Sequence, residues 1–145
     1  MAKKESLTDF QEQWDKIVDK AQKDYNSLSK AERVWFNIQL LMAAVENGGM
    51  ISFFYNSQGE YYYETIEDLE ILKHKKIIKL LEKMSEIFPN KIVPKDWDER
   101  NEVIDNMPDD EIFEEKIDKI DDEYFKLEKK LEEDLIEFIK INGMV

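Results

Sequence analysis

Cysteine is missing from this chain, so there is no disulfide framework, no thiol chemistry and no metal site built on cysteine. Histidine occurs once, at His74. The Glu-x-x-His pairs of di-iron bundles, the His-Glu-x-x-His zinc motif and a histidine-assisted serine dyad are therefore absent or unsupported. His74 lies between two lysines and reads as a solvated residue at a helix start. Long apolar runs are also lacking. The longest, Leu40 to Val45, is far too short to span a bilayer, and the start Met1 to Ser6 has no apolar secretory segment. A soluble, cytoplasmic protein is expected, with no membrane partner. Glycine-rich phosphate loops are missing, because Gly48-Gly49 follows a helical pattern and lacks the lysine and serine of a Walker sequence. No EF-hand loop is present. No catalytic residue, metal or cofactor is expected.

What is abundant is acid. The chain carries 34 Asp/Glu against 21 Lys/Arg, a formal charge of -13. From Asp96 to Glu137 there are 19 acidic and 6 basic residues, so the remainder is neutral at 15 of each. A field polarised in this way repels nucleic acid and anionic membrane and attracts basic surfaces. Direct nucleic-acid binding is not expected.

The 145 residues suit one domain with its own core, here expected to span residues 7–145 after a flexible lead over 1–6. The periodicity predicts an all-α domain of about six to eight helices. Thr8 with Gln11 reads as a capping box for a helix through Phe10, Trp14, Ile17, Val18, Ala21 and Tyr25. Ser29 with Glu32 opens a second, more apolar helix that runs to Gly48 and Gly49. Met50 to Phe54 fits a strand or a helical turn, and helix is favoured. Thr65 with Asp68 reads as the cap of a short helix carrying Ile66, Leu69 and Leu72. Ile77 to Phe88 follows as a strongly apolar helix closed by Pro89. After a linker over Asn90 to Lys95, Asp96 with Glu99 caps a helix burying Trp97, Val103, Ile104 and Met107. The last helix is the longest, about 45 Å at about 1.5 Å per residue, with a stripe through Phe113, Ile117, Ile120, Tyr124, Leu127, Leu131, Leu135, Phe138 and Ile141.

Carboxylates on that helix admit two readings. Asp109, Asp110 and Glu111 suit a helix N-terminus, and Glu115 with Lys119 or Asp122 with Lys126 are ordinary i,i+4 pairs of a solvated surface. A helical wheel adds segregation of sign. Asp118, Asp121, Asp122, Glu128, Glu132 and Glu133 gather on one flank, and Lys119, Lys126 and Lys130 on the other. One carboxylate every three or four residues repeats at about 4.5 to 6 Å of rise, on the scale of the phosphates of a DNA strand at about 3.4 Å each.

Three of the four glycines fall within Glu46 to Gly59. Glu46-Asn47-Gly48-Gly49-Met50, then Phe53-Phe54-x-Asn56-x-x-Gly59 and Glu64-Thr65, resembles the bacterial DNA-mimic protein (DMP-like) domain family of small acidic all-helical proteins. The helix ending at Phe88-Pro89, Arg100 in Asp98-Glu99-Arg100, and Asp121 to Phe125 follow in the family's order, so the resemblance covers about Leu28 to Val145. Met50 and Ser52 depart from it, since the family often has Phe and Gln there. The resemblance implies a protein that presents carboxylates in place of DNA phosphates on the DNA-binding face of another protein. Joined to the acidic flank, the expectation is a non-enzymatic protein whose Asp109, Asp110, Glu111, Asp118, Asp121, Asp122, Glu128, Glu132 and Glu133 bind a basic partner, such as a regulator or nucleoid protein. The hinge residues Asn47, Gly48, Gly49, Phe53, Phe54, Asn56 and Gly59 read as architectural. Two alternatives share the composition. One is an immunity or antitoxin-like protein against a basic nuclease, and the other is an enzyme with a cleft lined by Tyr61 to Tyr63.

Overall fold

A computed structural model describes residues 5–145. Among them are seven α-helices and no strand: α1 (Gln11–Lys23), α2 (Lys30–Gly48), α3 (Met50–Tyr55), α4 (Tyr62–Ile71), α5 (Lys75–Ser85), α6 (Trp97–Asp105) and α7 (Glu111–Ile141). Short 3-10 turns fill the joints at Leu7–Phe10, Tyr25–Ser27, Ser57–Tyr61 and Pro89–Lys91. The expected all-α class is observed, with a final helix of 31 residues. No helix among the described residues is long and apolar enough to cross a membrane.

Helix α2 is the central element and packs against α1, α3, α4 and α7. Its wide apolar arc buries Val34, Trp35, Ile38, Leu41 and Val45 completely, each worth about 1.5–3 kcal/mol on leaving water. The capping box forms as expected: Ser29 N donates to Glu32 Oε1 at 2.8 Å and Glu32 N to Ser29 Oγ at 3.1 Å. The first box is displaced by two residues. Ser6 N donates to Asp9 Oδ2 at 2.9 Å, a 3-10 turn intervenes, and α1 starts only at Gln11 and stops at Lys23, short of Tyr25. Of the lead expected over residues 1–6, residues 1–4 lie outside the described residues, while Glu5 pairs with Lys140.

Three other sequence expectations are corrected. Thr65 and Asp68 do not cap a helix, because α4 begins at Tyr62 and both lie inside it, buried. Asp68 is drawn inward by three donors: Arg33 Nε at 3.2 Å, Arg33 Nη2 at 2.7 Å and Asn37 Nδ2 at 2.9 Å. Burial raises its pKa, whereas the carboxylate, working against burial, raises that of Arg33. Three donors on one carboxylate are the geometry of its ionised form. On α6 the core residue is Arg100, fully buried, while Trp97 is 51% exposed; the Asp96 side chain makes no capping bond. On α7 the buried row shifts from Ile120 and Tyr124 to Leu131, Leu135, Ile136 and Ile139, leaving Ile141 exposed. A 3.6-residue helix drifts relative to a seven-residue stripe over this length.

His74 is also not the solvated residue expected. Its side chain is largely covered and shares a 2.7 Å hydrogen bond between Nε2 and Asp134 Oδ2, tying the start of α5 to α7.

Candidate functional site

The glycine-aromatic hinge becomes the short helix α3, and charges from two distant helices hold its two ends. Six residues cannot sustain a helix alone. At the N-terminus Gly49 has φ 80°, and a Cβ there would lie 2.5 Å from Asp121 Oδ2. A bare backbone is needed for Asp121 to reach in from α7 and accept from Met50 N at 2.8 Å. At the C-terminus Arg100 donates through Nε to Phe54 O at 2.9 Å and through Nη2 to Asn56 O at 2.9 Å. Its Nη1 takes Pro94 O at 3.0 Å and Lys95 O at 2.7 Å. Gly59 makes room, since a Cβ would sit 2.6 Å from Arg100 Nε. An anion at the N-terminus and a cation at the C-terminus both match the helix dipole. Phe53 and Phe54 between them are fully buried. Asn56 Nδ2 donates to Ser52 Oγ at 3.1 Å, Asn47 is exposed, and a Cβ on Gly48 is the position from which Ser52 Oγ would be 3.0 Å away.

Contacts with the scaffold divide the acidic flank of α7. Four of its carboxylates are occupied. Asp121 is half-buried, and burial raises its pKa against the hydrogen bond from Met50, with Asp118 and Asp122 adding to the rise. Burial, a hydrogen bond shared with Glu46 and the neighbouring Glu132 push the Glu128 carboxyl up to about 8. Glu132 Oε2 accepts from Leu7 N at 3.3 Å and so docks the N-terminal turn. Glu133 is half-buried and engaged with its surroundings.

The other five expected carboxylates face water. Asp109, Asp110, Glu111, Asp118 and Asp122 are all exposed. Asp110 also caps the helix, accepting from Ile112 N at 2.8 Å. Glu114, which the wheel does not single out, joins them: a hydrogen bond with Asp109 and the charges of Asp109, Asp118 and Asp110 raise its pKa. The i,i+4 pairs expected between Glu115 and Lys119 and between Asp122 and Lys126 are not among the ion pairs of the described residues, where α7 pairs Lys130 with Asp134 and Lys116 with Glu86. No group of three or more Asp, Glu or His among the described residues could hold a metal ion.

The three tyrosines at 61 to 63 do not line one cleft. Tyr61 stacks on Tyr25, centroids 3.7 Å apart, beside a cleft of about 620 Å³ that also meets Lys30, Arg33, Glu60 and Glu64. Tyr62 is buried, and the Tyr63 hydroxyl accepts from Val93 N at 3.1 Å.

No curated protein and no solved structure matches the chain significantly. The family model described as DMP19-like protein matches residues 26–142, from just before α2 to the last turn of α7. The matched span holds the clamped hinge, both of its charged anchors and the acidic edge, and the chain belongs to the DMP19-like protein family.

Proposed function

We propose that this protein is a non-enzymatic DNA mimic whose acidic edge occupies the basic DNA-binding surface of a partner protein. The observation that supports this reading is the division of α7. Asp121, Glu128 and Glu132 serve the scaffold, whereas Asp109, Asp110, Glu111, Asp118 and Asp122 remain exposed at its start and along its first half. Asp118 and Asp122 are one turn apart, about 6 Å of rise, and Glu111 lies about 10.5 Å before Asp118 along the axis. A rigid helix therefore presents a row of negative charge at steps of about 6 to 10.5 Å, about two to three times the axial rise per phosphate of one DNA strand, and the surface costs little to order on binding because it is already folded. The acidic edge is the unit of recognition, and the α3 hinge holds it in position through Asp121.

The partner is a protein with a basic, DNA-binding face, such as a transcriptional regulator or nucleoid protein. Affinity capture from lysate at low and high salt, with duplex DNA as competitor, tests this. A DNA-binding protein released by salt and by duplex is the expected result. Capture that survives duplex DNA, or that is undiminished in the Asp109→Asn/Asp118→Asn/Asp122→Asn variant, refutes it.

A further inference from the structure

Helices α5 and α7 enclose a groove of about 460 Å³. Lys76, Lys79 and Lys83 line it from α5 and Lys126 from α7, over a floor made by Leu80 and Leu127. One carboxylate, Glu123, also lines it. Lys83 borders a second hollow of about 330 Å³, where Lys116 and Lys119 stand beside Glu86 and Glu123. Spacing i, i+3, i+7 puts the three α5 lysines on one face over about 10.5 Å, and Lys119 and Lys126 repeat the same seven-residue interval on α7.

This clustering runs against the composition. Carboxylates outnumber cations 34 to 21, so a lysine placed without constraint should find an acidic neighbour. Lys116 does, pairing with Glu86 at 3.3 Å. Lys76, Lys79, Lys83, Lys119 and Lys126 are absent from the ion pairs of the described residues, and the first three stand on one helix face where they repel each other.

We propose that this groove is a second docking site, which takes an acidic amphipathic segment of a protein. Lysine stems and the half-buried Leu127 offer apolar surface, with Leu80 nearly covered beneath, and the ammonium groups ring it. A helix with a carboxylate on successive turns and apolar side chains beside them satisfies both, in the helix-in-groove mode. Extended nucleic acid fits less well: it would run on past the short basic stretch into a molecule of formal charge -13, and phosphates make no use of leucine. A second copy of this chain brings the same surplus charge and is disfavoured for the same reason. The groove shares no lining residue with the acidic edge, and although Asp122 stands one turn from Lys126, the α5 lysines can be varied without touching that edge.

The test uses the full chain and a labelled helical peptide with glutamates on successive turns of one face and leucines beside them, followed by fluorescence anisotropy. Saturable binding is expected. It weakens at least tenfold in Lys79→Glu/Lys83→Glu, falls with added salt, falls when the peptide leucines become serine, and does not weaken in Asp118→Asn/Asp122→Asn. Lys79 and Lys83 are exposed, and circular dichroism verifies that the reversed variant folds. Absence of saturable binding, equal binding of the serine peptide, or displacement by duplex DNA or polyphosphate as effective as by unlabelled peptide overturns the proposal. So does sedimentation showing that the groove holds a second copy of the chain, released by the lysine reversals.

Discussion

Replacing Arg100 by methionine removes the charged anchor of α3 while keeping most of the side-chain volume. Four carbonyls, those of Phe54, Asn56, Pro94 and Lys95, lose a donor that now sits 2.7 to 3.0 Å away. Hydrogen bonds to a charged group are worth about 1.5–3 kcal/mol each, but the four are not additive. Phe54 is the fully buried residue among the four, whereas Lys95 is exposed and its carbonyl can turn to water. Against the loss stands the desolvation of a buried guanidinium, several kcal/mol, which the wild type bears and the variant does not. The net expectation is a loss of about 2–4 kcal/mol, within the total stability of a domain of this size. That corresponds to a fall in Tm of about 5–15 °C. Urea denaturation gives the free energy, and amide exchange in α3 should speed up more than in α5. Gly59→Ala supplies the internal control: its Cβ would meet Arg100 Nε at 2.6 Å, so its cost, about 1–3 kcal/mol as overpacking, should shrink in the Arg100→Met background. A loss under 1 kcal/mol for Arg100→Met, or strict additivity with Gly59→Ala, refutes the clamp.

The other end of α3 should respond to Asp121→Ala with about 0.5–2 kcal/mol, the value of a lost N-cap, whereas Asp118→Ala and Asp122→Ala should stay within about 0.5 kcal/mol; chemical denaturation of the three variants decides it. Glu128 predicts a pH dependence. Its folded pKa, about 8, lies above the ordinary carboxyl value, so between the two the folded state holds a proton that the unfolded state has lost. Stability from this group is complete below the unfolded pKa and declines as pH rises toward about 8. Glu128→Gln should therefore gain stability at mildly alkaline pH, by about 1–2 kcal/mol after allowance for solvent screening of a partly exposed carboxyl, and flatten the profile. Denaturant midpoints from pH 5 to about pH 9 that leave wild type and variant parallel would count against the shared Glu46–Glu128 proton.

The parts of the fold that were legible in the sequence are those set by local chemistry. Ser29 and Glu32 lie three residues apart and satisfy each other, so their box could be read directly. Thr65 and Asp68 show the same signature and mean something else, because Asp68 is drawn to Arg33 and Asn37, more than thirty residues away. Arg100 was marked only by its place in a family pattern. Amphipathic reasoning sends Trp97 inward and a lone arginine outward, and it reverses here because the carbonyls at Phe54 and Asn56 arrive from another helix. The helical wheel located the acidic flank and the opposed lysines, since both depend on periodicity alone. It could not tell which carboxylates are spent on the scaffold: Asp121, Glu128 and Glu132 share the flank with Asp118 and Asp122, and only the positions of Met50, Glu46 and Leu7 separate them.

Replacement of DNA by the acidic edge is tested most directly by a three-component gel shift, with the captured DNA-binding partner, a labelled duplex that it binds, and increasing amounts of this protein. Free duplex should appear in proportion to the protein added, and the Asp109→Asn/Asp118→Asn/Asp122→Asn variant should lose this effect while keeping its helical content. A slower band in which partner, duplex and protein are held together would contradict it, because the acidic edge would then lie somewhere other than the DNA-binding surface.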